Sequence, residues 1–190
     1  MLTGKKSSEV LKGTHGTSLS RAKAIASTSK FEPSVDGHFG VGVYFWAYEE
    51  NISFAKHLAE SWWIFQNDKF NAYRTDDEPS LAILDAEISH PGDEYFDASG
   101  EFFLGLLVEL AICRNIEHNK EKINQLKVVA IQEIERENNI NYCIIKILVD
   151  TPPKPPKGVM PYVYAAKKSS ECYVVKRNFD QLIKRVEIIN

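Results

Sequence analysis

Hydrophobic positions along this chain fall into short, strand-like runs and longer runs at helical spacing, with polar breaks between them. β-Branched, aromatic and aliphatic runs predict strands over 10–13, 42–46, 81–88, 142–149, 171–175 and 184–189. The run over 142–149, Tyr-Cys-Ile-Ile-Lys-Ile-Leu-Val, is the strongest of these. Helical spacing predicts four helices. The first covers 18–27, capped by Thr17 or Ser18 and running through Ala22, Ala24, Ile25 and Ala26. The second covers 51–65, with Phe54, Leu58, Trp62 and Phe65 on one face. Two more, over 101–113 and 119–137, meet near Asn115–Asn119. Prolines punctuate the chain at His90-Pro-Gly-Asp93 and in Thr151-Pro-Pro-Lys-Pro-Pro-Lys-Gly158, which reads as an extended loop.

Strands outnumber helices, and the helices interrupt them irregularly. That pattern predicts an α+β fold with a mixed or antiparallel sheet rather than a repeated βαβ unit. The helical stretch near 101–137 then reads as an insertion, or as a lobe packed against the sheet.

Length and composition fit this picture. A chain of 190 residues, 44% hydrophobic and 26% charged, suits one globular domain spanning 1–190. The cysteines, Cys113, Cys143 and Cys172, are few and far apart and form no C-x-x-C pair, so neither a disulfide framework nor a zinc knuckle is expected. The polar, basic opening and the lack of a long apolar run predict a cytoplasmic protein without an export signal or a membrane span.

The net charge of −3 conceals segregation. Residues 1–30 hold six basic residues and one acid, and residues 151–190 hold eight basic residues and three acids, so each segment carries +5 and the stretch between them −13. Segregated faces are common in solvated proteins. They also suit a polyanionic partner on the terminal segments.

Three segments carry candidate chemistry. In Gly13-Thr-His15-Gly16-Thr17, a histidine at a strand end can donate to a ribose hydroxyl, and the glycine after it admits close approach to the backbone. In Gly37-His-Phe-Gly40-Val-Gly42-Val-Tyr44-Phe45-Trp46, glycines precede a strand whose tyrosine can present a ring face to a flat ligand. In Ser169-Ser-Glu171-Cys-Tyr-Val-Val175, a glutamate opens an apolar strand. Taken singly, these also describe a turn, a core strand and a solvated edge charge.

Together, and in this order, they resemble the ADP-ribosyltransferases of the diphtheria-toxin and poly(ADP-ribose) polymerase type. His15-Gly16-Thr17 is similar to that family's His-Gly-Ser/Thr strand end. Phe39-Gly40-Val41-Gly42-Val43-Tyr44-Phe45 is similar to its Phe-Gly-x-Gly-Ile/Val-Tyr-Phe strand, and Ser170-Glu171-Cys172-Tyr173-Val174 to its late Ser/Asn-Glu-x-x-Val strand. The stretch 180–188 resembles the family's closing linker and strand. The likeness covers 10–60 and 140–190 and is poor in between.

The resemblance implies a split, mixed or antiparallel β-sheet with flanking helices, NAD as co-substrate and no metal. It implies that His15 bonds the nicotinamide ribose, that the Gly16 backbone holds the carboxamide and that Tyr44 stacks on the nicotinamide. Glu171 would bond the ribose 2′-hydroxyl and stabilise the positive charge that develops as nicotinamide leaves. Thr17 and Phe45, which adjoin these residues, are expected to belong to the NAD-binding set as well. A second stacking partner would come from Phe54, His57 or Trp46. Physical chemistry supports such a set, because cleaving the nicotinamide–ribose bond passes through an oxocarbenium-like state that a nearby carboxylate stabilises. The five histidines, His15, His38, His57, His90 and His118, show no metal-ligand spacing.

Small members of this family often modify protein, RNA or DNA, many as toxins restrained by an antitoxin, which suggests a role in a toxin–antitoxin or antiviral system. Lys154, Lys157, Lys167, Lys168, Lys176 and Arg177 form the candidate approach for a nucleic-acid acceptor; solubilising a loop and binding NAD pyrophosphate is the competing account. Ser169, two residues before Glu171, argues against arginine as acceptor. Three alternatives stand beside the transferase. They are an NAD glycohydrolase, an inactive NAD- or ADP-ribose-binding module, and an α+β interaction protein whose likeness is accidental.

Overall fold

The computed structural model describes residues 10–35, 37, 39–116, 119–153 and 168–189. The chain runs β1 (Val10–Ser18), α1 (Leu19–Thr28), β2 (Val43–Tyr48), α2 (Ile52–Phe70), β3 (Leu81–Ser89), a 3₁₀ turn (Gly92–Glu94) and β4 (Tyr95–Asp97). It continues with α3 (Glu101–Cys113), α4 (Lys120–Asn138), β5 (Ile144–Asp150), β6 (Ser169–Val175), a single helical turn α5 (Phe179–Leu182) and β7 (Ile183–Ile189). The seven strands form one sheet in the order β4-β5-β6-β2-β1-β3-β7, antiparallel throughout except for the β4–β5 pair. The architecture is α+β with a mixed sheet, as the irregular alternation of elements predicts.

Asparagine marks the ends of two long helices. Asn51 caps α2 by accepting the Ser53 amide at 2.9 Å, and Asn119 caps α4 by accepting the amides of Glu121 and Lys122. Both helices stop at a left-handed asparagine, Asn71 and Asn139, which tolerates that conformation better than most residues. The β1–α1 corner is pinned by Asp76, which accepts the Ser18 hydroxyl and pairs with Arg21 at 2.8 Å.

Each face of the sheet has its own core. On one face, α2 and the α3–α4 pair bury Leu58, Phe103, Ala130 and Ile131 against Trp46, Ile83, Ile145, Ile147 and Val174. On the other, Ala22 of α1, Phe31 and Leu182 cover Phe45, Leu84, Ile88, Ile144 and Val175. The stretch near 101–137 is therefore a helical layer of the main core. Removing a fully buried leucine such as Leu58 from water is worth about 1.5–3 kcal/mol.

Two features position the site. First, β1 pairs with β3 along its whole length, Val10 to Ser18, but with β2 only at Lys12, Gly13 and Thr14. Past Thr14 the two central strands part. Second, β1 runs on through His15 to Ser18, so this histidine lies within the strand and not at the end expected at residue 13. The β3 ladder sustains the extension through a Gly-Thr-His-Gly-Thr sequence that has little strand propensity of its own.

Candidate active site

Strand order sets three distant segments side by side: Glu171 on β6, Tyr44 on β2 and His15 on β1 occupy consecutive strands. Alternation along each strand then decides which face each side chain takes. His15 packs edge-on to Phe31, with ring centroids 5.7 Å apart, and against Phe45 at 5.8 Å, on the α1 face. Glu171 alternates with Cys172, which belongs to the opposite core, and shares its face with Tyr173 and Val175. His15 and Glu171 thus lie on one face, two strands and two residues apart, a Cα separation of about 12 Å.

Tyr44 takes the other face. Its ring packs with the core under the α3–α4 layer. Its hydroxyl donates to the Gly40 carbonyl at 2.8 Å and accepts the Phe39 amide at 3.2 Å, and burial pushes its pKa well above the ordinary tyrosine value. The ring expected to meet a flat ligand beside His15 and Glu171 therefore braces the loop at Phe39 and Gly40. Gly40, at φ +89°, lets that loop turn back under the hydroxyl. Tyr44 does meet His15, but through its backbone: His15 Nδ1 lies 2.9 Å from the Tyr44 carbonyl oxygen. A carbonyl only accepts, so Nδ1 carries the proton. Burial depresses the His15 pKa below its ordinary value, against an opposing pull from this hydrogen bond. The ring is then neutral at pH 7, and Nε2 is left as an acceptor. It accepts a hydrogen bond rather than donating one, contrary to the expected donation to a ribose hydroxyl, and His15 is not among the residues that line the groove at Glu171.

Gly16 has close company on its α2 side. A Cβ there would come within 2.1 Å of the Ala59 carbonyl oxygen, so the approach this glycine permits is that of α2. Thr17 is buried, and Phe45 lies in the core beneath His15.

Glu171 opens onto a groove of about 260 Å³ that wraps the end of β2, lined by Ala47, Tyr48, Glu49, Asn51, Phe54, Ala55 and Tyr173. Phe54 is thus the aromatic residue of α2 that reaches the carboxylate's groove. His57, one turn on, lines a different depression of about 380 Å³ between α2 and the β3–β7 edge, with Lys56, Glu60 and Ile83. Trp46 is in the core. Tyr48 was not among the expected residues. Its hydroxyl donates to Asp85 at 2.7 Å, and its ring walls the groove. The signal for it was present, since Tyr44, Trp46 and Tyr48 alternate and only the last reaches the strand end. Lys146 of β5 was also missed; its Nζ lies 2.8 Å from Glu171 Oε1.

The basic residues divide. Lys176 and Arg177 sit past the far end of β6, roughly 16–20 Å along the strand direction from Glu171. Both contact Glu135, at 3.1 and 3.6 Å. They do not line the approach to Glu171. Lys168 is exposed just before β6. Lys154, Lys157 and Lys167 lie outside the described residues.

Among the described residues no cluster of three or more His, Cys, Asp or Glu side chains is arranged to hold a metal, and no helix is long and apolar enough to cross a membrane. Comparison with known proteins returned no match to any family model, curated protein or solved structure.

Proposed function

We propose that this protein is an NAD-dependent ADP-ribosyltransferase, that its sheet, parted between β1 and β2, is the split sheet of that family, and that the groove at Glu171 is where the nicotinamide–ribose bond breaks. One observation carries the reading. Three motifs that resemble the family's, the first and last about 155 residues apart, lie on three neighbouring strands, and the glutamate opens onto an aromatic groove.

The chemistry follows from the groove. NAD enters with its nicotinamide against Phe54 and Tyr48 and its ribose toward the face shared by Glu171 and His15. The bond from the ribose C1′ to the pyridinium nitrogen breaks, and its electron pair leaves with nicotinamide, which departs neutral and needs no acid. Positive charge develops on the ribose ring, and the Glu171 carboxylate stabilises it. His15 Nε2 accepts a ribose hydroxyl. Tyr44 serves through its carbonyl, which fixes the His15 tautomer. The C1′ then bonds to a nucleophile of a macromolecular acceptor, nucleic acid or protein, and that nucleophile releases its proton to solvent. A toxin restrained by a partner protein in the cytoplasm is the setting that suits a small enzyme of this kind.

Substituting Glu171→Gln tests the role directly. The amide keeps the shape and removes the charge, so nicotinamide release should fall about 10²- to 10³-fold while NAD affinity changes little. Unchanged turnover by E171Q would remove Glu171 from the mechanism.

A further inference from the structure

Lys146 stands out within β5. The strand reads Ile-Ile-Lys-Ile-Leu-Val-Asp, and the isoleucines on both sides of the lysine are fully buried. Lys146 pairs in register with Tyr173 and Glu171 pairs with Leu148, so the two charges meet diagonally across the β5–β6 ladder. The lysine side chain is 18% exposed and the glutamate 43%. Covering most of a lysine costs hydration and side-chain entropy, and a pair this open to solvent returns little stability. An apolar residue would serve the sheet as well or better. What the lysine does supply is direction. Its Nζ takes one oxygen of Glu171, Oε1, at 2.8 Å.

We propose that Lys146 is a positioning residue for Glu171: by holding Oε1 it turns Oε2 into the groove walled by Tyr48 and Phe54. The inference rests on the reading of Glu171 given above and deepens it. A carboxylate nearly half exposed, on a side chain with three rotatable bonds, samples many rotamers if nothing holds it. Stabilising charge at C1′ needs it in one of them when the C–N bond breaks. Lys146 touches neither NAD nor the acceptor in this scheme. It acts on the step, not on binding.

The test measures nicotinamide release against NAD concentration for wild type, K146M, K146Q, K146R and E171Q, and for K146M combined with E171Q, with thermal unfolding followed alongside. The expected result is a kcat lowered about 10- to 100-fold in K146M and K146Q, with KM within about twofold of wild type. K146R, which keeps a cation at the same place, recovers most of the rate. Adding K146M to E171Q costs nothing more, because the residue being aimed has lost its charge. A purely structural lysine would lower the unfolding midpoint and leave this kcat-against-KM pattern unmoved. Wild-type kcat in K146M or K146Q, or full additivity with E171Q, would overturn the proposal and leave the transferase reading intact. Absence of NAD cleavage by wild type would overturn both.

Discussion

His15 illustrates how a residue's role depends on what holds it. Its Nδ1–H is committed to the Tyr44 carbonyl and its ring lies against Phe31 and Phe45, so the charged form is disfavoured. The consequence for stability has a definite sign. With a folded pKa below the unfolded value of about 6.5, the unfolded chain takes up the proton first as pH falls. Below pH 6.5 this residue therefore destabilises the fold, by at most about 1.4 kcal/mol per pH unit until the folded histidine also protonates. Urea midpoints of wild type and H15Q at pH 7 and pH 5 check this, and the wild type should lose more on acidification. Phe54 carries a separate expectation. F54L keeps apolar bulk but removes the flat face, and should raise the KM for NAD about 3- to 10-fold with kcat little altered. An unchanged KM would place the nicotinamide elsewhere. The identities of His15 and Glu171 could be read from their motifs, but not the face that each side chain takes. Tyr44 shows why. Strand alternation is visible in a sequence, yet which alternate faces which layer depends on partners fixed only by folding. Lys146 was hidden for the same reason, because its partner is 25 residues away on another strand.

At the scale of elements, α2 locks the site's frame. Thr14 donates its hydroxyl to the Ala55 carbonyl at 2.7 Å, and Gly16 meets Ala59 two residues along β1. A methyl at position 16 would have to displace helix backbone. G16A should therefore destabilise the fold by about 1–3 kcal/mol, measured as a lower urea midpoint. A neutral result would mean that α2 does not seat closely on β1 at Gly16. This glycine thus has a packing role that its place in the His15-Gly16 motif concealed. Most elements could be read from periodicity, because amphipathic helices and apolar strands carry their pattern locally. Two parts could not. The strand Tyr95–Asp97 is three residues long and exists through its parallel pairing with Ile144–Lys146. The second half of β1, rich in glycine and threonine, is strand because β3 pairs with it. Both are tertiary effects, which local propensity does not encode.

For the whole molecule, seven strands in one sheet bring together residues far apart in the chain, His15 and Glu171 among them, and past Thr14 the β1 backbone has no ladder partner in β2. The class of the fold, α+β, was legible from the irregular order of strand and helix patterns; the choice between a mixed and an antiparallel sheet was not, because it turns on the short β4 strand. The groove was not, because it is made by the turn after β2, the first turn of α2 and the start of β6 closing on one another. The groove also carries the main expectation for function: with one carboxylate and aromatic walls, it is the proposed place for cleavage of a glycosidic bond. Purified protein supplied with NAD labelled in its adenine, and with cell protein, RNA and DNA as separate acceptors, tests that claim most directly. Nicotinamide should be released, label should become covalently attached to one of the three fractions, and both signals should collapse in E171Q. Nicotinamide release with free ADP-ribose as the sole labelled product would make the protein a glycohydrolase at the same groove, and no release from any mixture would contradict the account.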